Sequence, residues 1–273
     1  MLTDLKPKKS LGQNWLTNPR ILEKIISAAE ITGNDIVLEI GPGLGSLTER
    51  LSRKAGTVIA VEKDHRLIGF LKEKFKNQAN VKLIESDILK FDPAMVPVVL
   101  QWAPLQSLRP RNYKIIGNIP YYITSNLLRV IFEKWPKPEV VVFTVQKEVA
   151  QRIIAKPPHM NLLALSIQYY AGPEIISYIS KNNFKPIPKV DSAIIRLKPK
   201  SLNLDPEETT RFFKLIRAGF AGKRKQLINS LVHNLKRERS SIENYMKKAG
   251  IDPKSRPEEL VIESWIKLIH LMS

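Results

Sequence analysis

The segment Glu39-Ile40-Gly41-Pro42-Gly43-Leu44-Gly45 closes a short apolar run with glycines at alternate positions. Glycines at a strand-to-helix turn let the backbone approach a ligand closely and take conformations that a side chain forbids. Glu62 ends the next apolar run, where a carboxylate can accept from both hydroxyls of a ribose, whether that of NAD or of S-adenosylmethionine. Asp87 follows a third run and can accept from an adenine amino group. Asn118-Ile119-Pro120-Tyr121 follows a fourth. An exocyclic adenine amine is a poor nucleophile because its lone pair is delocalised into the ring. The side-chain carbonyl of Asn118 and a main-chain carbonyl beside the rigid Pro120 can accept its two N–H bonds. That favours a pyramidal nitrogen whose lone pair points at a methyl donor. Tyr121 offers a face on which an extruded base can stack. No strong general base is needed, since a methylated, cationic nitrogen loses its proton readily.

These residues need a frame that brings four strand ends together. Apolar runs at 35–40, 57–62, 81–85, 113–117 and 139–146 alternate with helical spacing at 44–54, 67–75 and 125–133. Runs that are apolar throughout and alternate with helices predict a parallel sheet covered on both faces, a doubly wound α/β fold. Such folds bind ligands in the crevice at the carboxyl ends of their strands. A further helix is expected near 161–170. Runs 174–180 and 192–197 are close enough to pair as an antiparallel hairpin at the sheet edge, and 92–111, with four prolines, reads as an inserted loop. Beyond residue 199 only helical segments remain, at 207–221, 224–235, 241–249 and 257–271. The expected division is a sheet domain over 1–200 and a small all-helical domain over 201–273.

The chain has 273 residues and a formal net charge of +18, with 43% hydrophobic and 26% charged residues. That composition is globular and excludes wholesale disorder. The absence of cysteine excludes disulfides, thiolate metal sites and cysteine nucleophiles, and four scattered histidines argue against a metal centre. No apolar run approaches the ~18 residues of a membrane span, and residues 1–10 carry no apolar signal region. A soluble, cytoplasmic protein with a polyanionic partner is expected, nucleic acid being the default. Residues 181–200 hold six Lys/Arg against Asp191, and 217–239 hold seven against Glu238. Both stretches can follow an RNA backbone. Trp102, Trp135 and Trp265 read as packing residues.

Several ordered motifs carry a resemblance across nearly the whole chain. They are Lys9-Ser10-Leu11-Gly12-Gln13-Asn14-Trp15-Leu16, the loop 39–45, Asn118–Tyr121, Gln146-Lys147-Glu148-Val149 and Phe184-Lys185-Pro186-Ile187-Pro188-Lys189-Val190-Asp191-Ser192-Ala193. Phe220, the basic run Lys223-Arg224-Lys225 and Asn229-Ser230-Leu231 complete the set. The chain resembles the small-subunit rRNA adenine dimethyltransferases. The resemblance implies a Rossmann-like class I S-adenosylmethionine methyltransferase fold with a helical RNA-binding domain. It implies that Asn14, Leu16, Gly41, Gly43, Glu62, Asp87 and Asn118 contact S-adenosylmethionine, and that Tyr121 and Phe184 sandwich the target adenine. Lys223, Arg224 and Lys225 would hold RNA. The implied activity is N6,N6-dimethylation of two adjacent adenines in the 3′-terminal hairpin of small-subunit rRNA, by a metal-free monomer acting on the immature subunit. Alternatives are the large-subunit adenine methyltransferases of the macrolide-resistance type and a chiefly non-catalytic assembly factor. A NAD-dependent dehydrogenase leaves Asn118–Tyr121 without a role. The chain departs from the family pattern at Trp15, Tyr122, Gln226 and segment 155–161.

Overall fold

A computed structural model describes residues 5–91, 113–200, 204–222 and 225–272. The 92–111 insertion, Trp102, Lys223 and Arg224 lie outside the described residues. The strands are β1 (Trp15–Leu16), β2 (Ile36–Ile40), β3 (Thr57–Glu62), β4 (Val81–Glu85), β5 (Tyr113–Asn118), β6 (Val140–Gln146), β7 (Ala171–Ile179), β8 (Phe184–Lys185) and β9 (Ser192–Pro199). The helices are α1 (Pro19–Ala28), α2 (Ser46–Ser52), α3 (His65–Lys74), α4 (Thr124–Lys134), α5 (Lys147–Ile153), α6 (Leu162–Tyr170), α7 (Pro206–Phe220), α8 (Leu227–Leu235), α9 (Arg239–Lys248) and α10 (Ile262–Leu271).

Seven strands form one sheet in the order β4-β3-β2-β5-β6-β9-β7. Pairings from β4 through β6 are parallel. The order reverses between β2 and β5, which opens the crevice expected at such a switch point. β9 runs antiparallel to β6, with Gln146 opposite Ser192 and Val141 opposite Leu197. The central strands are apolar on both faces because both faces are covered: Val58, Ile59, Ile115, Ile116, Val141 and Val142 are all buried. At the amino ends of β2 and β5, Lys114 Nζ meets Asp35 Oδ2 at 2.9 Å and donates to the Glu30 carbonyl at 2.7 Å. That buried pair fixes the two neighbours in register.

Helix α1 starts at Asn18, whose side chain accepts from the Arg20 amide, and Pro19 takes the first helical position. It buries Leu22, Ile25 and Ile26, a three-to-four-residue spacing. A separate two-residue ladder pairs Leu16 with Phe184 and Trp15 with Lys185.

The chain divides into two compact units, Met1–Ala150 with Pro173–Pro199, and Gln151–Gly172 with Lys200–Ser273. Residues 151–172, which their place in the sequence groups with the sheet, belong to the helical unit. The reason is aromatic. Tyr169 stacks on Phe212 at 4.7 Å between centroids, and its hydroxyl meets Thr209 Oγ1 at 2.6 Å. Helix α7 opens with Asp205 accepting from the Glu208 amide while Glu208 accepts from the Asp205 amide, and Pro206 stands at its first position. Phe220 stacks on the fully buried Trp265, so this ring serves packing. The expected helix at 257–271 is split into a single turn, Pro257–Glu259, followed by α10.

Candidate active site

The crevice lies wholly in the sheet unit, lined by Asn14, Leu16, Glu39, Gly41, Gly43, Glu62, Lys63, Asp87, Asn118, Pro120, Tyr121 and Tyr122 among others. Every cofactor residue expected from the sequence is therefore on one wall system, and so are Asn118, Pro120 and Tyr121. Gly43 has φ +59°, and a Cβ there would come within 3.0 Å of the Trp15 ring. A side chain is strained by the backbone conformation and crowded by the Trp15 ring. Gly45, at φ +74°, is shut against Phe75 and Leu71 in the same way.

Glu62 is buried at the end of β3. Its Oε1 accepts from the amides of Lys63 and Asp64, both at 2.9 Å, and Oε2 accepts from Gly43 at 3.2 Å. Burial raises its pKa, and these three amides oppose the rise. With two acceptor positions per oxygen, Oε1 is filled and Oε2 keeps one for a ligand hydroxyl. Glu62 thus ties the glycine loop to β3 as well as facing the crevice. Asp87 Oδ2 pairs with Lys63 Nζ at 2.8 Å and Oδ1 accepts from the Leu89 amide at 3.1 Å. Burial pushes the Asp87 carboxyl up, but Lys63 and Leu89 outweigh it and hold it below the usual range.

The amino-terminal segment is pinned to the crevice rim by Asp64. Gln13 Nε2 donates to Asp64 Oδ2 at 3.0 Å, while Lys8 N donates to Gln13 Oε1 at 2.7 Å. The Arg66 guanidinium beside Asp64 holds that carboxyl far below the usual range despite its burial. This clamp delivers Asn14. Its main-chain carbonyl accepts from Asn118 Nδ2 at 2.8 Å. A carbonyl can only accept, so the Asn118 amide is oriented: the NH2 faces Asn14 and Oδ1 is left as the acceptor. Pro120's own carbonyl accepts from Ile123. The other main-chain acceptor beside the proline is the Ile119 carbonyl. Tyr121 Oη meets Ser192 Oγ at 2.6 Å, and burial raises its pKa.

Phe184 is buried in the core. Its ring is 1% exposed and packs with Leu16, Leu22, Ile25 and Ile194, and it is not among the crevice-lining residues. Its ladder partner Leu16 lines the crevice, so Phe184 is buried next to a crevice residue, whereas Tyr121 lines the crevice itself. Lys225 is exposed just ahead of α8. Glu39 carries a feature that its residue type and position do not announce. Both its carboxylate oxygens are buried without a hydrogen-bond partner beneath the glycine loop, and burial, with Glu62 adding to it, lifts its pKa to about 8.

A glycine-loop crevice at the switch point of this sheet, with one antiparallel strand inserted beside β6, defines a class I methyltransferase fold. The sequence matches the ribosomal RNA adenine dimethylase family over residues 4–273, and the chain belongs to that family. It is 45% identical over 265 residues to ribosomal RNA small subunit methyltransferase A of Dehalococcoides mccartyi (strain CBDB1), spanning 97% of this chain and 88% of the relative. The protein of that name from Geobacillus thermodenitrificans (strain NG80-2) is 38% identical over 96% of this chain and 89% of its own. Among solved structures, the 23S rRNA methyltransferase ErmE matches with TM-score 0.74 and 27% identity, covering 94% of this chain and 99% of its own. A dimethyladenosine transferase from Plasmodium falciparum matches with TM-score 0.73 and 28% identity, covering 93% and 95%.

Proposed function

We propose that the protein transfers methyl groups from S-adenosylmethionine to adenine N6 in small-subunit rRNA, dimethylating two adjacent adenines of the 3′-terminal hairpin. It does so as a cytoplasmic monomer without metal, on the immature subunit. The observation that carries this reading is the oriented Asn118 amide beside Tyr121, in the same crevice as Glu62 and the glycine loop.

The crevice suits the cofactor. Gly43 leaves little room for a Cβ, Glu62 keeps one acceptor position, and Glu39 brings a buried carboxyl to the crevice wall. Asn14, Leu16, Gly41, Gly43, Glu62 and Asp87 would hold it. When bound, S-adenosylmethionine supplies an electrophilic methyl group. The chain's own residues do the rest. Asn118 Oδ1 and the Ile119 carbonyl accept the two N–H bonds of the amine, which keeps the nitrogen lone pair out of ring conjugation where charge develops. Tyr121 holds the base by stacking, its ring fixed through Ser192. After one transfer the nitrogen retains a single N–H, so one of the two acceptors suffices for the second. The cationic product loses its proton to solvent.

Similarity to proteins named for the small subunit, at 38–45% identity, supports that substrate over the large subunit, where ErmE at 27% is the relative. The test is incubation with labelled S-adenosylmethionine and, separately, unmethylated small subunits, large subunits and naked rRNAs. Label at adenine N6 of small-subunit rRNA is expected. Label confined to large-subunit rRNA, or none, overturns the reading.

A further inference from the structure

The motif Gln146-Lys147-Glu148-Val149 has no role in the crevice, and one of the largest exposed aromatic rings of the sheet unit faces it. Tyr178, near the end of β7, is 52% exposed. Lys147 Nζ stands 5.2 Å from the centroid of its ring. The position of this pair is set by the same strands that set Tyr121. Ser192, which bonds the Tyr121 hydroxyl, is the register partner of Gln146. One residue further, the Lys147 amide donates to the Asp191 carbonyl at 3.0 Å, and Asp191 Oδ1 accepts from the Lys181 amide at 3.0 Å. Lys147 is thus the next residue in the chain after the register partner of Ser192, the residue that fixes the base-stacking tyrosine.

An exposed ring with a cation beside it offers a flat face to a ligand, and three observations say what fits. Nearby in sequence stand Lys181, Lys185 and Lys189, which with Lys147 outnumber Glu148 and Asp191, and the Asp191 carboxylate is already engaged by the Lys181 amide. Ile187 and Val190, in the β8–β9 connection, are 62% and 44% exposed. A flat ring beside a lysine cation, in a stretch of net positive charge with exposed apolar side chains, matches a base and its phosphate, the combination that single-stranded nucleic acid sites use. Resting on the functional reading above, we propose that Tyr178 and Lys147 form a second nucleotide subsite, in which the base adjoining the target adenine stacks on Tyr178 while Lys147 takes its phosphate. Such a subsite holds the strand on one side of the extruded base, so that the target enters the Tyr121 pocket in register.

The test is steady-state methylation of unmethylated small subunits by wild type, Tyr178→Ala, Tyr178→Phe and Lys147→Met, with salt dependence, S-adenosylhomocysteine affinity and melting temperature measured alongside. Tyr178→Ala raises KM for the subunit about tenfold with little change in kcat, since stacking on one ring is worth that much. Tyr178→Phe restores the wild-type KM. Lys147→Met lowers the log–log salt slope by about 0.7, the effect of one neutralised phosphate, whereas Tyr178→Ala leaves the slope alone. Cofactor affinity and melting temperature stay unchanged in all three, because both side chains are exposed. An unchanged KM in Tyr178→Ala, or a loss that Tyr178→Phe fails to rescue, overturns the subsite while leaving the enzyme's function standing. A wild-type protein that leaves small subunits unmethylated overturns the functional reading, and this inference with it.

Discussion

Glu39 illustrates how much a single side chain is asked to bear. Its carboxyl is buried, unpartnered and raised to about 8, with Glu62 adding to the rise and Thr48 and Lys74 opposing it. In the unfolded chain the group has its ordinary value of 4.5. Between those values the folded protein binds the extra proton, so stability falls as pH rises through the window and levels off above it. Glu39→Gln removes the titration. The expected result is a stability advantage of the variant that grows from about pH 5 to pH 8 in denaturant unfolding without cofactor. A difference that is flat with pH contradicts the protonated Glu39. Phe184 makes the opposite case, a residue singled out for chemistry and found in the core. Phe184→Ala is expected to cost about 3–5 kcal/mol of unfolding free energy, as for other buried phenylalanines. If stability holds and only methyl transfer falls, the ring acts on the base after all.

At the scale of elements, the sheet is readable in the sequence because its strands are buried on both faces and its helices carry three-to-four-residue spacing. β3 and β4 run over 57–62 and 81–85, the spans their apolar runs predict. Some of the pieces that escape are too short to have a period. β1 and β8 are two residues each, and their pairing is a long-range fact that decides where Phe184 points. Helix α1 lies outside the elements expected from the sequence, although Asn18-Pro19 and the spacing of Leu22, Ile25 and Ile26 mark it. In the site, the glycines, Glu62, Asp87 and Asn118–Tyr121 are visible as strand-end chemistry. The Asn14 carbonyl that orients Asn118 is not, because main-chain groups leave no mark in residue types. The helical unit depends on close approach in α7. A Cβ on Gly219 would lie 2.4 Å from Trp265 Cη2 and 2.9 Å from Leu227 Cδ1. Alanine is the better helix former by about 1 kcal/mol, but overpacking costs about 1–3 kcal/mol and prevails here against a fully buried indole. Gly219→Ala is expected to lower the denaturant midpoint, and a raised midpoint contradicts this packing.

Over the whole molecule the net charge of +18 sets how the protein meets its substrate. Under the proposed function, long-range attraction draws it to RNA without regard to sequence, and the crevice then selects the reacting base. The run Lys223-Arg224-Lys225 is proposed to act in the first step. Replacing all three with alanine is expected to weaken subunit binding and to flatten its log–log salt dependence by about 0.7–0.9 for each phosphate no longer neutralised. Affinity for S-adenosylhomocysteine is expected to stay as it was. An unmoved salt slope makes the run a solvated surface. Among the described residues no helix is long and apolar enough to cross a membrane.

The central claim is that an amide oriented by the Asn14 carbonyl prepares the target amine for transfer. Single-turnover methylation of small subunits by Asn118→Ala, with saturating cofactor and subunit, tests it most directly. Loss of one preorganised polar group of this kind costs on the order of 10²–10³ in rate, and that fall is the expected result, with subunit binding and folding preserved. A rate near that of the wild type contradicts the account.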